Sequence, residues 1–142
     1  MLICIYSLMD KKIILIDLSF LITAITNKID INYWLRREYG KNYELVILRD
    51  SIEELENISK KNKSKIRKVF KLIEKFIETH CRIENYNSKY EPVDMKIIEY
   101  AKKHRCIVAT NDKYLARILV SEKIPVIFIN IKKRKIEFAY SD

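Results

Sequence analysis

Short β-branched runs alternate with helix-length amphipathic segments along almost the whole chain, and that order admits only a narrow class of folds. Ile13-Ile14-Leu15-Ile16 is apolar at every position, the pattern of a strand covered on both faces, and it ends at Asp17. Residues 18–26 then read as a short helix and residues 31–39 as a second, stopped by Gly40 just past its C-terminus. Residues 44–48 form a second strand, after which Asp50 or Ser51 is expected to cap a helix with Ile52, Leu55 and Ile58 on one side. Polar residues at 62–64 interrupt the helical pattern. From Lys65 onward Ile66, Val69, Phe70, Ile73, Phe76 and Ile77 follow the 3.6-residue period, with Lys68, Lys71 and Lys75 on another face. Residues 81–84 and 106–109 read as the third and fourth strands. Pro92-Val93-Asp94 opens the helix between them, residues 111–121 form another helix, and 126–129 are the fifth strand. Residues 136–140 are expected to add an edge strand, antiparallel through a hairpin.

Parallel strands need crossover connections and helices supply them, so this order predicts an α/β fold with a mostly parallel sheet and helices on both faces. A chain of 142 residues is one domain's worth and can build a core without disulfides or structural metal. Cys4, Cys81 and Cys106 form no zinc-binding pattern and read as buried thiols in a reducing compartment. The single glycine excludes a glycine-rich loop that could cradle phosphates. Residues 1–9 are apolar but much shorter than a membrane span, with no basic segment ahead of them. They are expected to be a short extension, with Met9 an alternative start, before a domain covering 10–142 in a cytoplasmic protein that engages no membrane.

In open α/β sheets ligands bind outside the carboxyl ends of the strands, and the acids fall there. Asp17 ends the first strand, Glu53, Glu54 and Glu56 open the helix after the second, Asp94 starts the helix before the fourth, and Asp112 follows the fourth. Each alone has a structural explanation, since Asp17 could cap its helix, Asp94 and Asp112 favour positive helix ends, and the glutamates suit a solvated face. Together they suggest more. Converging carboxylates without a cationic partner repel one another, and a hard divalent cation relieves this. Mg²⁺ or Mn²⁺ on such a set activates water and stabilises charge on a phosphodiester, which points to a metal-dependent nuclease.

Leu15-Ile16-Asp17-Leu18-Ser19-Phe20-Leu21, Ile52-Glu53-Glu54-Leu55, Val93-Asp94-Met95-Lys96-Ile97-Ile98 and Val108-Ala109-Thr110-Asn111-Asp112-Lys113-Tyr114-Leu115 resemble, in order and spacing, the four acidic motifs of PIN domains. The chain looks like a stand-alone PIN protein of the VapC-toxin and ribosomal-RNA-processing branch. The resemblance implies a three-layer α/β/α sandwich with core strand order 3-2-1-4-5 and a Mg²⁺- or Mn²⁺-dependent endoribonuclease. It implies Asp17, Glu54, Asp94 and Asp112 as catalytic and metal-site acids, with Glu53 the alternative to Glu54, and Ser19, Thr110 and Asn111 as supporting groups. Some relatives carry a further acid about four residues after the one at Asp112, where this chain has Ala116-Arg117. Ser19 and Thr110 are also candidate helix caps, whereas His80 and His104 suit helix C-termini and stay outside the site.

Lys and Arg exceed Asp and Glu by 28 − 19 = +9, which favours a polyanionic partner, although coding bias also makes chains basic. Lys60, Lys61, Lys63, Lys65, Arg67 and Lys68, and separately Lys132, Lys133, Arg134 and Lys135, are candidate phosphate contacts. Tyr33, Trp34, Arg36, Arg37 and Tyr39 could stack bases or form a dimer face. The basic surface suggests RNA as a partner, and the resemblance to PIN proteins implies in addition an antitoxin or ribosome-assembly factor and a second copy in a homodimer. The competing reading is a non-catalytic RNA-binding or scaffold protein on the same fold.

Overall fold

A computed structural model describes residues 11–61 and 67–139. The apolar stretch at 1–9, Cys4, the interruption at 62–64, Lys63, Lys65, Ile66 and Tyr140 lie outside the described residues. The elements run β1 (Lys12–Ile16), α1 (Leu18–Thr26), α2 (Ile31–Tyr39), β2 (Tyr43–Leu48), α3 (Arg49–Lys61), α4 (Arg67–His80), β3 (Cys81–Glu84), α5 (Val93–His104), β4 (Ile107–Ala109), α6 (Lys113–Ser121), β5 (Val126–Asn130) and β6 (Lys135–Ala139). They form a three-layer sandwich around one sheet of order β3-β2-β1-β4-β5-β6. The first five strands pair in parallel, and β6 closes the edge antiparallel to β5, as expected of a hairpin return.

Strand alternation divides the core between the two faces of the sheet. Ile14, Ile16, Leu45 and Ile47 point to one face, where α1 to α4 cover them with Phe20, Leu21, Leu35, Leu55, Phe70 and Ile73. Leu15, Val46, Leu48 and Val108 point to the other, under Ile97 and Tyr100 of α5 and Leu115 and Leu119 of α6. Fully apolar strands are the consequence of helices on both sides. Cys106 is buried and Cys81 partly so, and burial pushes their thiols up to about 11 and about 12, the behaviour of packing residues rather than nucleophiles. No helix among the described residues is long and apolar enough to cross a membrane.

Two expected helix starts are corrected. The α3 helix begins at Arg49, directly on the last residue of β2, so Asp50 and Ser51 lie inside its first turn. Ser51 is buried and its hydroxyl has no partner among the described residues, while Asp50 reaches across to Lys96. The α6 helix begins at Lys113 with Asp112 as its N-cap, so Asn111 is outside it and Thr110 is not the cap. The reason is local: the Asp112 side chain satisfies the first free N–H groups, those of Tyr114 and Leu115, which releases the Thr110 hydroxyl for other partners.

Gly40 ends α2 with φ 62° and ψ −131°, a combination available essentially to glycine alone. An added Cβ would meet nothing within 4 Å, so the position is chosen by backbone conformation and not by space. Gly40→Ala should therefore cost about 1–3 kcal/mol through backbone strain, read as a lower urea midpoint with unchanged m-value. An unshifted midpoint would show that this turn has no requirement for glycine.

Candidate active site

The carboxyl end of β1 delivers Asp17 to the edge of the sheet, and its N–H continues the ladder by donating to the Ala109 carbonyl at 2.9 Å. Asp17 stands at the N-cap of α1, yet its side chain caps nothing. Its Oδ2 instead accepts from Ser19 Oγ at 2.6 Å and from Thr110 Oγ1 at 2.7 Å. Each hydroxyl spends its only proton on Asp17 and accepts a backbone N–H in return, from Asn111 to Ser19 and from Asp112 to Thr110, both at 3.1 Å. With both protons so committed, the 3.2 Å separation of Ser19 Oγ and Thr110 Oγ1 is a contact of neighbours rather than a further bond. Both bonds fall on Oδ2, so Oδ1 of Asp17 has no hydrogen bond among the described residues.

The other acids keep an oxygen free in the same way. Asp112 accepts from the N–H groups of Tyr114 and Leu115 through Oδ1, and Asp94 accepts from Met95 N–H through Oδ1. Glu54, in the second turn of α3, accepts no hydrogen bond among the described residues. Its carboxyl is pushed above the ordinary glutamate range, first by partial burial and then by the negative charges of Asp17 and Asp94, although much of the side chain is exposed. Asp17, Glu54, Asp94 and Asp112, with Ser19, line one cleft of about 330 Å³ whose walls are Leu18, Ile22, Ile58, Val93 and Leu115. None of the four acids forms an ion pair among the described residues. Nor do any three His, Cys, Asp or Glu side chains among those residues close into a preassembled metal cage.

The remaining expected residues separate by position. Thr110 is fully buried behind Asp17, so it acts through that carboxylate. Asn111 turns away from the cleft and bonds Ile129 twice, donating to its carbonyl at 3.0 Å and accepting its N–H at 2.9 Å, thus extending the β4–β5 pairing by a side chain. Glu53 lines a neighbouring cleft with Glu91 and Lys96 and does not line the one holding Asp17. His80 and His104 end α4 and α5 against the rings of Phe76 and Tyr100. Of the second basic run, Arg134 donates to the Asn27 carbonyl and Lys133 and Lys135 stand 3.9 and 3.7 Å from Glu137, which leaves Lys132. Lys60, Lys61, Arg67 and Lys68 are exposed on α3 and α4. Arg37 lies over the rings of Tyr33 and Trp34, and Tyr39 packs on Phe138 of β6.

Lys96 was not singled out by its sequence context. Its Nζ meets Asp50 Oδ2 at 2.6 Å with both side chains mostly buried, joining α3 to α5 across the sheet edge. Glu54 stands one turn beyond Asp50 and Asp94 two residues before Lys96, so this pair sets the spacing of two of the acids. The available signal was the oddity of a lysine at the start of an otherwise apolar helix face.

The model of the PIN like domain family matches residues 14–132. The chain is 35% identical over 120 residues to Ribonuclease VapC4 of Methanocaldococcus jannaschii, covering 82% of this chain and 89% of that one. It is 33% identical over 121 residues to Ribonuclease VapC9 of Archaeoglobus fulgidus, covering 84% of each. Among solved structures, the PIN domain endonuclease Utp24 superposes with a TM-score of 0.74 at 21% identity, over 90% of this chain and 91% of that one. A domain of a functionally unknown M. jannaschii protein superposes with a TM-score of 0.56 at 19% identity, over 84% and 91%.

Two outcomes follow for the protein without metal. Thr110→Val removes one donor from Asp17 and strands the Asp112 N–H, at a cost of about 1–3 kcal/mol in denaturant unfolding. A change within error would mean water replaces the hydroxyl. Glu54, whose pKa is raised on folding, contributes most when protonated, and that contribution is lost as pH rises through the raised value. Glu54→Gln should therefore melt above the parent at pH 7 and together with it near pH 4; a lower melting temperature at pH 7 would contradict the repulsion.

Proposed function

The chain belongs to the PIN-like domain family, and from that premise we propose that it is a divalent-metal-dependent endoribonuclease hydrolysing RNA phosphodiester bonds. The observation that carries the reading is the cleft itself: acids from four separate segments face one space, with no cation paired to them among the described residues. Both curated relatives are named ribonucleases, and their VapC names favour a toxin with an antitoxin partner over a ribosomal-RNA-processing role.

The donor set fits a hard cation. Asp17, Glu54, Asp94 and Asp112 offer only carboxylate oxygens, and Mg²⁺ or Mn²⁺ takes such ligands while keeping several waters, so a closed cage is not required. When bound, the cation would supply Lewis-acid neutralisation of the phosphate and a water of lowered pKa. The chain's own contribution is placement. The two hydroxyls hold Asp17 with Oδ1 free of hydrogen bonds among the described residues, the N-terminus of α6 holds Asp112, and Glu54, its pKa raised by partial burial and by Asp17 and Asp94, closes the set.

The test is cleavage of total cellular RNA, with thermal shift followed in the same Mn²⁺ and Mg²⁺ titrations, for the parent and for Asp17→Asn and Asp112→Asn. The parent should be stabilised by metal and cut RNA at discrete sites, and each variant should lose at least about a hundredfold in rate, the scale of removing several kcal/mol of charge stabilisation. RNA binding without metal response or turnover in any of the three would make this a binding or scaffold protein.

A further inference from the structure

A second groove, of about 520 Å³, lies between α6 and the β5–β6 hairpin and shares Asp112 with the carboxylate cleft. Its character is opposite to that of its neighbour. Ala116, Phe128 and Ile131 line it, and Ile131 is 51% exposed. Lys113, Arg117 and Lys132 also line it, all exposed and none in an ion pair, and Asp112 is the only acid lining it among the described residues. The surface therefore offers an apolar slot, unpaired positive charge beside it, and direct continuity with a site for phosphate chemistry.

We propose that this groove receives an unpaired nucleotide of single-stranded RNA adjoining the phosphate that enters the carboxylate cleft. The base lies on the apolar floor against Phe128, and the neighbouring phosphates lie against Lys113, Arg117 and Lys132. The proposal rests on the ribonuclease reading above. Two features favour RNA over an acidic peptide: the ring in the slot, and the opening through Asp112 onto the cleft proposed for phosphate chemistry. A single strand is required because the faces of duplex bases are stacked and unavailable to a protein ring, whereas any unpaired base can stack.

Binding of a labelled mixed-sequence single-stranded oligoribonucleotide, and of the same sequence as duplex, is measured by anisotropy in EDTA across a salt series. Without metal no cleavage intervenes. Arg117→Ala should lower the slope of log affinity against log salt by about 0.7, the value for one phosphate contact on a single strand. Ala116→Phe, which fills the slot, should weaken single-strand binding roughly tenfold. Lys75→Ala, which removes an exposed cation from α4, should change neither. Should Ala116→Phe fail to fold, Arg117→Ala decides alone. Equal binding by all the proteins, no binding by the parent, or preference for duplex overturns the proposal, and equal binding leaves the groove to an acidic peptide. Groove-dependent binding by a parent that cuts no RNA with Mn²⁺ would sink the ribonuclease reading alone; cutting unaffected by the groove variants would sink this one alone.

Discussion

Everything at the carboxyl edge of the sheet is referenced to the two hydroxyls that solvate Asp17. A carboxylate at the end of a central strand loses water on folding and needs donors in exchange. Here Ser19 and Thr110 supply them, and each is itself oriented by a backbone N–H from the turn after β4. Chains of this kind strengthen as they lengthen, because each donor polarises the next. The same bonds join the end of β1, the start of α1 and the start of α6, so Asp17 and Asp112 are held in one rigid frame. Glu54 and Asp94 are held differently. They ride on helices from opposite faces of the sheet, tied by the Asp50–Lys96 pair. The cleft thus consists of two acids fixed by the sheet and two whose spacing depends on one partly shielded ion pair.

A net charge of +9 coexists with four cleft acids that form no ion pair among the described residues, and part of the positive charge is engaged elsewhere. Arg82 is engaged by Glu44 and Glu84, Lys102 by Glu122, Lys96 by Asp50, and the β5–β6 turn consumes Lys133, Arg134 and Lys135 internally. Cations that bond to the fold are not available to a polyanion. A count of lysines in the sequence therefore overstates the surface; Lys113, Arg117 and Lys132, in no ion pair among the described residues, stand along the groove that adjoins the cleft.

The element order was legible because it is written in apolar periodicity: α1 and α2 have the boundaries read from sequence, and the antiparallel return of β6 followed from its hairpin. The convergence of the acids was legible because strand ends in a parallel sheet share one edge. Cap identities were not. Thr110, Asn111 and Asp112 all suit a helix start by residue type, and only the three-dimensional demands of Asp17 and Ile129 decide which of them caps. Lys96 was hidden for a related reason, since its partner lies 46 positions away on a helix that packs against the other face.

The topology also explains which acid is electrostatically uncomfortable. Each of β1 to β4 is followed by a helix that starts at the same edge, so the positive ends of α1, α5 and α6 converge where the carboxylates do. Asp17 and Asp112 sit at N-cap positions and Asp94 in a first turn, each within the reach of a helix terminus and each accepting a hydrogen bond. Because α3 starts flush against β2, Glu54 falls in its second turn, beyond the range over which the dipole acts. It has neither terminus nor donor among the described residues, and it faces Asp17 and Asp94. The same register that denies Glu54 a cap places it across the cleft from the acids held by the sheet. Partial burial first, and then the charges of Asp17 and Asp94, raise its pKa, and helix phase leaves it without a terminus to offset them; a cation in the cleft would relieve the repulsion.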